Sequence, residues 1–228
     1  LQHLQNAKTA STIPATSLAN GGSNVPLSNF AYSVWFYIND WNYRYGEPKV
    51  IYGRMDSTSS SSSGDVSGIS GKGPCPVVHL GETENNLVVS LACFPSGSSE
   101  SDKVVPVIHR CQVSNVPIQR WVNLSLSVYG RTLDVYLDGK LVKTCLLPGV
   151  AKINNSSNIY VTPNGGFDGF TSKLQYFPSP LNPQDAWNIY SRGYGGNTIS
   201  NMFGLGSSSS SSPVSYTHLR AHETGRNL

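Results

Sequence analysis

The chain has 228 residues, 38% of them hydrophobic, with 13% charged and a net charge of +3. That is enough apolar material for one full core, and all-β sandwiches commonly use chains of this size as one domain. With so few charges and no Lys/Arg block, the electrostatic footprint of a nucleic-acid binder is missing, and nucleic acid is not expected as a partner.

Residues 1–29 do not begin with Met and contain neither a signal peptide nor a run of about 20 apolar residues. They read as an N-terminal segment that is cut at its front, so a membrane would be met only through an anchor upstream of this sequence. Phe30 to Ile38 (FAYSVWFYI) is aromatic and β-branched, which predicts a central strand with Tyr32, Val34, Phe36 and Ile38 on one face. Trp35 and Tyr37 then face the other side. Lys49 to Tyr52 reads as a short strand, and Ser57 to Gly64 as a flexible loop. Strands follow at Pro76 to Leu80, Asn86 to Phe94 and Val104 to Val113, the last two joined by the polar loop Ser96 to Asp102.

The stretch WVNLSLSVYGRTLDVYLDGKLV, Trp121 to Val142, is the most informative in the chain. Asp138-Gly139 between alternating apolar residues is a strong hairpin signal, because both central positions of the favoured tight turn need positive φ. Strands are therefore expected at Arg120 to Val128, Thr132 to Leu137 and Lys140 to Leu147, with Ile159 to Thr162 and Gly169 to Tyr176 closing the set. One helix is predicted near the end. Asn182 supplies a cap, Pro183 a first-turn residue, Asp185 an early carboxylate and Gly193 a stop. Trp187 and Tyr190, three apart, would pack one face onto the sandwich rim.

Residues 197–212 form a Ser-rich low-complexity tail. Val214 to Thr224, VSYTHLRAHET, reads as a translated sequencing adapter, so 213–228 are set aside with their two histidines, His218 and His222.

The Trp-x-x, Gly-x-x, Tyr-x-Asp-Gly-x-x-Val pattern of the Trp121 region resembles laminin-G-like modules of the concanavalin A-like lectin/glucanase superfamily. Four further stretches are similar to lectin-like proteins of large DNA viruses: Ile118 to Asn123, Leu147 to Asn154, Val161 to Phe167, and Ala186 to Tyr190 with Gly193 to Gly196. The resemblance covers residues 30–196. It implies an all-β fold, a concanavalin A-like jelly roll of two antiparallel sheets, and binding of a glycan or a surface protein. It also implies one calcium ion at the loop rim, for which Asp168 is the best ligand with Asn164 nearby, although Asp and Asn in Gly-rich turns usually only stabilise the turn.

The best binding feature is the loop Asp40 to Gly46. Trp41, Tyr43 and Tyr45 alternate with Asn42 and Arg44, which suits sugar stacking with hydrogen bonds to hydroxyls. Trp41 and Tyr43 can equally cap the core. Glucanases on this fold set paired carboxylates along one strand about 5 Å apart. The nearest spacing, Glu82 and Glu84, lies in turn chemistry, so no enzyme is expected. Of the four cysteines, Cys93 and Cys111 end facing strands and are the first choice for a disulfide if the protein matures in an oxidising setting; none has metal spacing. Sequons stand at Asn123, Asn154 and Asn155. The leading expectation is a non-catalytic recognition module on a virion or cell surface, or secreted. The alternatives are a structural virion or assembly protein and, on fold analogy alone, a glycoside hydrolase.

Overall fold

The computed structural model describes residues 3–18, 28–55, 73–95 and 106–195. Among these, twelve strands and one α-helix are formed: β1 (Gln5–Asn6), β2 (Ser11–Ile13), β3 (Phe30–Asp40), β4 (Lys49–Arg54), β5 (Val77–Leu80), β6 (Asn86–Cys93), β7 (Val107–Ser114), β8 (Trp121–Tyr129), β9 (Thr132–Leu137), β10 (Lys140–Leu146), β11 (Ile159–Val161), β12 (Asp168–Phe177) and α1 (Pro183–Ser191). They make two six-stranded sheets, in the orders β1-β12-β3-β8-β9-β10 and β2-β11-β4-β5-β6-β7. All of the pairings between strands are antiparallel. The fold is an all-β sandwich of two antiparallel sheets, consistent with the jelly roll that the resemblance implies.

Alternation decides which face of each strand is buried. On β3 the inward set is Phe30, Tyr32, Val34, Phe36 and Ile38, each at most 1% exposed, joined in one core with Ile51, Val78, Leu87, Val89 and Leu91 of the other sheet. Burying a side chain such as Phe36 stabilises the fold by roughly 1.5–3 kcal/mol relative to leaving it in water. The register β3 to β8 is unbroken from Phe30 opposite Val128 to Tyr37 opposite Trp121. The outer side of the same pair carries a buried polar ladder, in which Asn123 Nδ2 and Ser125 Oγ both donate to Ser33 Oγ at 3.1 Å. Asn123 is fully buried, so its sequon cannot carry a glycan.

The Asp138-Gly139 turn has φ of 50° and 73°, as the hairpin signal requires. Asp138 also accepts from the Asn123 N–H at 2.9 Å and pairs with Arg120. The helix begins on the expected cap. Asn182 Oδ1 accepts from the Asp185 N–H at 2.9 Å, Asp185 Oδ2 accepts from the Asn182 N–H at 3.0 Å, and Pro183 opens the first turn. Gly193 follows it with φ of 71°. The helix lies on the outer face of the first sheet rather than at its rim: Tyr190 stacks on Trp35, and Trp187 sits against Gly139, where a Cβ would come within 3.1 Å of its ring.

Two further expectations are corrected. The disulfide joins Cys111 to Cys145 and not Cys93 to Cys111. In the β6–β7 ladder Cys111 opposes Val89 while Cys93 opposes Val107, so the two cysteines stand four positions apart along the hairpin and cannot meet. Cys111 and Cys145 instead belong to β7 and β10, the last strand of each sheet, with Cα atoms 6.1 Å apart, and the bridge staples the sandwich along that edge. The second correction concerns residues 1–29, whose weakly patterned β1 and β2 add a strand to each sheet, so the sandwich starts before Phe30. The loops Ser57 to Gly64 and Ser96 to Asp102 and the tails 197–212 and 213–228 lie outside the described residues.

Candidate functional site

Strand register assembles the site. Asp40, the last residue of β3, pairs with Asp168, the first of β12. The loop leaving β3 and the Gly-rich turn entering β12 therefore meet at one corner of the sandwich. Both sequence-predicted groups, Trp41 to Tyr45 and Asn164 with Asp168, fall there.

Three chain segments knit this rim. Arg44 adopts φ of 52°, an unfavourable left-handed conformation for a side chain of its size, and its guanidinium donates from Nε to Glu47 Oε2 at 2.8 Å and from Nη1 to the Asn164 carbonyl. The Tyr43 hydroxyl donates to the Gly165 carbonyl at 3.2 Å. Lys8, from the segment between β1 and β2, places Nζ 4.6 Å from the centre of the Tyr43 ring and 2.8 Å from Asp168 Oδ1. Gly166, with φ of 42°, is required because a Cβ would lie 2.1 Å from the Ala7 carbonyl oxygen. Lys8 was not legible as a site residue, since nothing in 1–29 marks a strand that would carry it there.

The aromatic residues of the loop divide in use. Trp41 is half-buried and packs against the core, Tyr43 is held under Lys8, and Tyr45 stays 61% exposed. Asn42 is exposed and its N–H donates to Asp40 Oδ1 at 2.9 Å. Beneath the loop, Lys49 is only 1% exposed and its Nζ lies 4.8 Å from the centre of the Trp41 ring. Neither Lys49 Nζ nor Trp41 Nε1 has a hydrogen-bond acceptor. Burial pushes the Lys49 amine below its ordinary pKa, as the neighbouring Arg44 also does.

Asp168 is engaged by a cation of the protein itself. Lys8 takes Oδ1 and Asn39 Nδ2 donates to Oδ2 at 2.9 Å; the Lys8 hydrogen bond first, then Asn39, hold its carboxyl below the usual range, and Asp168 in turn raises the Lys8 amine. Calcium takes six to eight oxygens. Among the described residues no group of three or more His, Cys, Asp or Glu is placed to hold a metal; at this corner both Asp168 oxygens are paired and Asp40 Oδ1 accepts from the Asn42 N–H.

Glu82 and Glu84 are exposed in the turn before β6. Cys75 and Cys93 are buried thiols, and burial pushes Cys93 up to about 11 and Cys75 further still. Among the described residues no helix is long and apolar enough to cross a membrane.

A two-sheet antiparallel sandwich is the class this chain belongs to by fold. No family profile and no curated protein matches it. Among solved structures, it resembles the receptor binding domain of the botulinum neurotoxin C/D mosaic serotype at TM-score 0.50 and 11% identity, covering 72% of this chain and 36% of that one. A structure titled HCR/D-Sa-GBL1/C is similar at TM-score 0.52 and 16% identity, covering 79% of this chain and 39% of that one. At these identities the likeness shows the fold alone. The chain spans well under half the length of either structure.

Proposed function

We propose that the protein is a non-catalytic recognition module that binds a glycan through the rim formed by Trp41 to Tyr45, Lys49 and the turn at 163–168. The observation that carries this is the pair of buried donors without acceptors, Lys49 Nζ and Trp41 Nε1, on a loop whose Asn42 and Tyr45 are exposed. Buried donors lacking partners are costly. A ligand rich in oxygen acceptors that stacks on Tyr45 and shifts the half-buried Trp41 far enough to reach these donors removes that cost, and a glycan has both properties. The turn-bound, exposed carboxylates Glu82 and Glu84 offer nothing comparable for glycoside hydrolysis. That the sandwich is shared with a structure titled as a receptor binding domain is compatible with recognition and carries no ligand with it. The disulfide suits an extracellular, cell-surface or virion location.

A glycan array probed with the full chain tests the proposal. Hits are expected to weaken in Trp41→Phe, which keeps an aromatic ring and removes the donor, and in Tyr45→Ala; unchanged binding in both sinks it. A second reading, a surface-protein or assembly role, is favoured by the apolar side chains on the two stapled edge strands, Val107, Ile108, Leu141, Val142 and Leu146, each at least 37% exposed. A flat array together with concentration-dependent association abolished by Leu146→Lys would support that reading instead.

A further inference from the structure

The outer face of the first sheet carries a connected series of rings that the rim does not use. Ring centres run from Phe170 to Tyr37 at 6.4 Å, Tyr37 to Trp121 at 5.8 Å, Trp121 to Tyr194 at 4.4 Å, Tyr194 to Trp35 at 5.9 Å, Trp35 to Tyr190 at 5.7 Å and Tyr190 to Trp187 at 5.5 Å. Helix packing accounts for one half of it. Trp35 is 5% exposed beneath Tyr190 of α1 and Tyr194, and Trp187 braces against Gly139.

The other half has no such explanation. Phe170 and Tyr194 are 39% and 41% exposed, with Tyr37 and Trp121 half-buried between them. These four come from β12, β3, β8 and the residue that closes the turn after the helix, so antiparallel register, not local sequence, lines them up: Phe170 is opposite Tyr37, and Tyr37 is opposite Trp121. Large aromatic side chains held half-open on a sheet surface are a poor use of apolar area for folding and a good one for binding.

We propose that Phe170, Tyr37, Trp121 and Tyr194 form a second binding platform, for uncharged oligosaccharides whose hexopyranose C–H faces stack on the rings. Charge selects the occupant. At one end of the row, Asp168 is neutralised by Lys8 and bonded to Asn39; at the other, Arg120 beside Trp121 is neutralised by Asp138. An acidic or basic partner finds each of these two charges already compensated, whereas a neutral sugar needs no counter-charge and hydrogen-bonds to what the pairs still offer. Asn39 keeps its side-chain carbonyl, and the Arg120 guanidinium, with a side chain 54% exposed, keeps free N–H groups. The aromatic make-up of the row also sets it apart from the aliphatic edge strands β7 and β10, where Val, Ile and Leu give no preference for sugar faces.

The test uses the full chain on an array of neutral gluco-, galacto-, manno- and N-acetylglucosamine oligosaccharides beside sialylated and sulfated ones, followed by titration of the best neutral hit. Phe170→Ser and Tyr194→Ser are each expected to weaken it about tenfold, and the double variant about a hundredfold, from the loss of one aromatic stack each. Each variant should stay folded, with a melting temperature lowered by no more than a few degrees, and tryptophan emission of the parent should shift when the sugar is added. Tyr129→Ala, at an exposed aromatic that belongs to neither region, should leave this affinity unchanged. An array with no neutral hit overturns the proposal, as does a neutral hit whose affinity survives in the double variant. Loss of neutral binding in Tyr45→Ala with retention in the platform variants assigns the ligand to the rim and overturns it as well. A dimer of the parent chain that the double variant turns into monomer would make the row a self-association face and also refute it.

Discussion

The rim and the outer aromatic row are built from similar residues and treat them in opposite ways. At the rim, Trp41 leans into the core, Tyr43 is clamped by Lys8 and Gly165, and only Tyr45 is left free. On the row, Phe170 meets the Tyr37 ring and Tyr37 the Trp121 ring, with Phe170 39% exposed and Tyr37 half-buried. The lesson is that an aromatic residue in a loop is not a ligand contact by composition. The rim's binding capacity lies in its unpartnered donors, while that of the row lies in its rings.

Substitutions sharpen this contrast. Trp41→Ala should cost the most stability, about 2–3 kcal/mol in urea denaturation, because it removes a large ring packed on the core and uncovers Lys49. Tyr43→Phe should cost about 1 kcal/mol through loss of the hydroxyl bond to Gly165. Phe170→Ser should stay within about 0.5 kcal/mol of the parent, and Tyr194→Ser, which removes a ring stacked on Trp121 and lying over Trp35, should cost about 1 kcal/mol. A loss of several kcal/mol in those two would show that the row is structural and would erase the distinction between the regions.

Between those extremes lies the Lys8–Asp168 pair, which borders both regions. The Asp168 carboxyl is depressed in the folded state, so its contribution is present above the ordinary aspartate value of about 3.9 and is lost as pH falls through the folded one. Lys8 is raised, so its contribution holds below the ordinary lysine value and is lost as pH rises through the folded one. Asp168→Asn should flatten the acid limb of the stability profile and lower Tm at neutral pH by no more than about 3 °C, as measured by calorimetry. With the parent chain, 1 mM calcium or a chelator should leave Tm unchanged; a calcium-dependent rise would show that the ion displaces Lys8.

The disulfide gives a check on the frame that holds both regions. Cys145→Ser should lower stability by about 3–4 kcal/mol in the chain-entropy view of a bridge spanning 34 residues. Cys75 and Cys93 should remain unreactive toward thiol reagents until the chain unfolds, since burial keeps them protonated.

Much of the fold was legible because its signals are local. Alternation on β3, the Asp138-Gly139 turn and the Asn182-Pro183-x-Asp185 cap each dictate their own structure, and each forms as read. What escaped was decided at a distance. Gln5–Asn6 and Ser11–Ile13 are strands only because sheet edges are available to them. Cys145 was passed over because only the stacking of two sheets brings β10 beside β7. The site was half legible for the same reason. The loop at Trp41 to Tyr45 advertises itself by composition, while Lys49, Lys8 and the Phe170–Tyr37–Trp121–Tyr194 series depend on register across neighbouring strands.

The most direct test of recognition at the rim is titration of the best array glycan against the parent chain, Trp41→Phe and Lys49→Met, with Tm measured in parallel. Affinity at least tenfold weaker in both variants, with the Tm showing each to be folded, is the result predicted. Equal affinity in all three folded chains would contradict it.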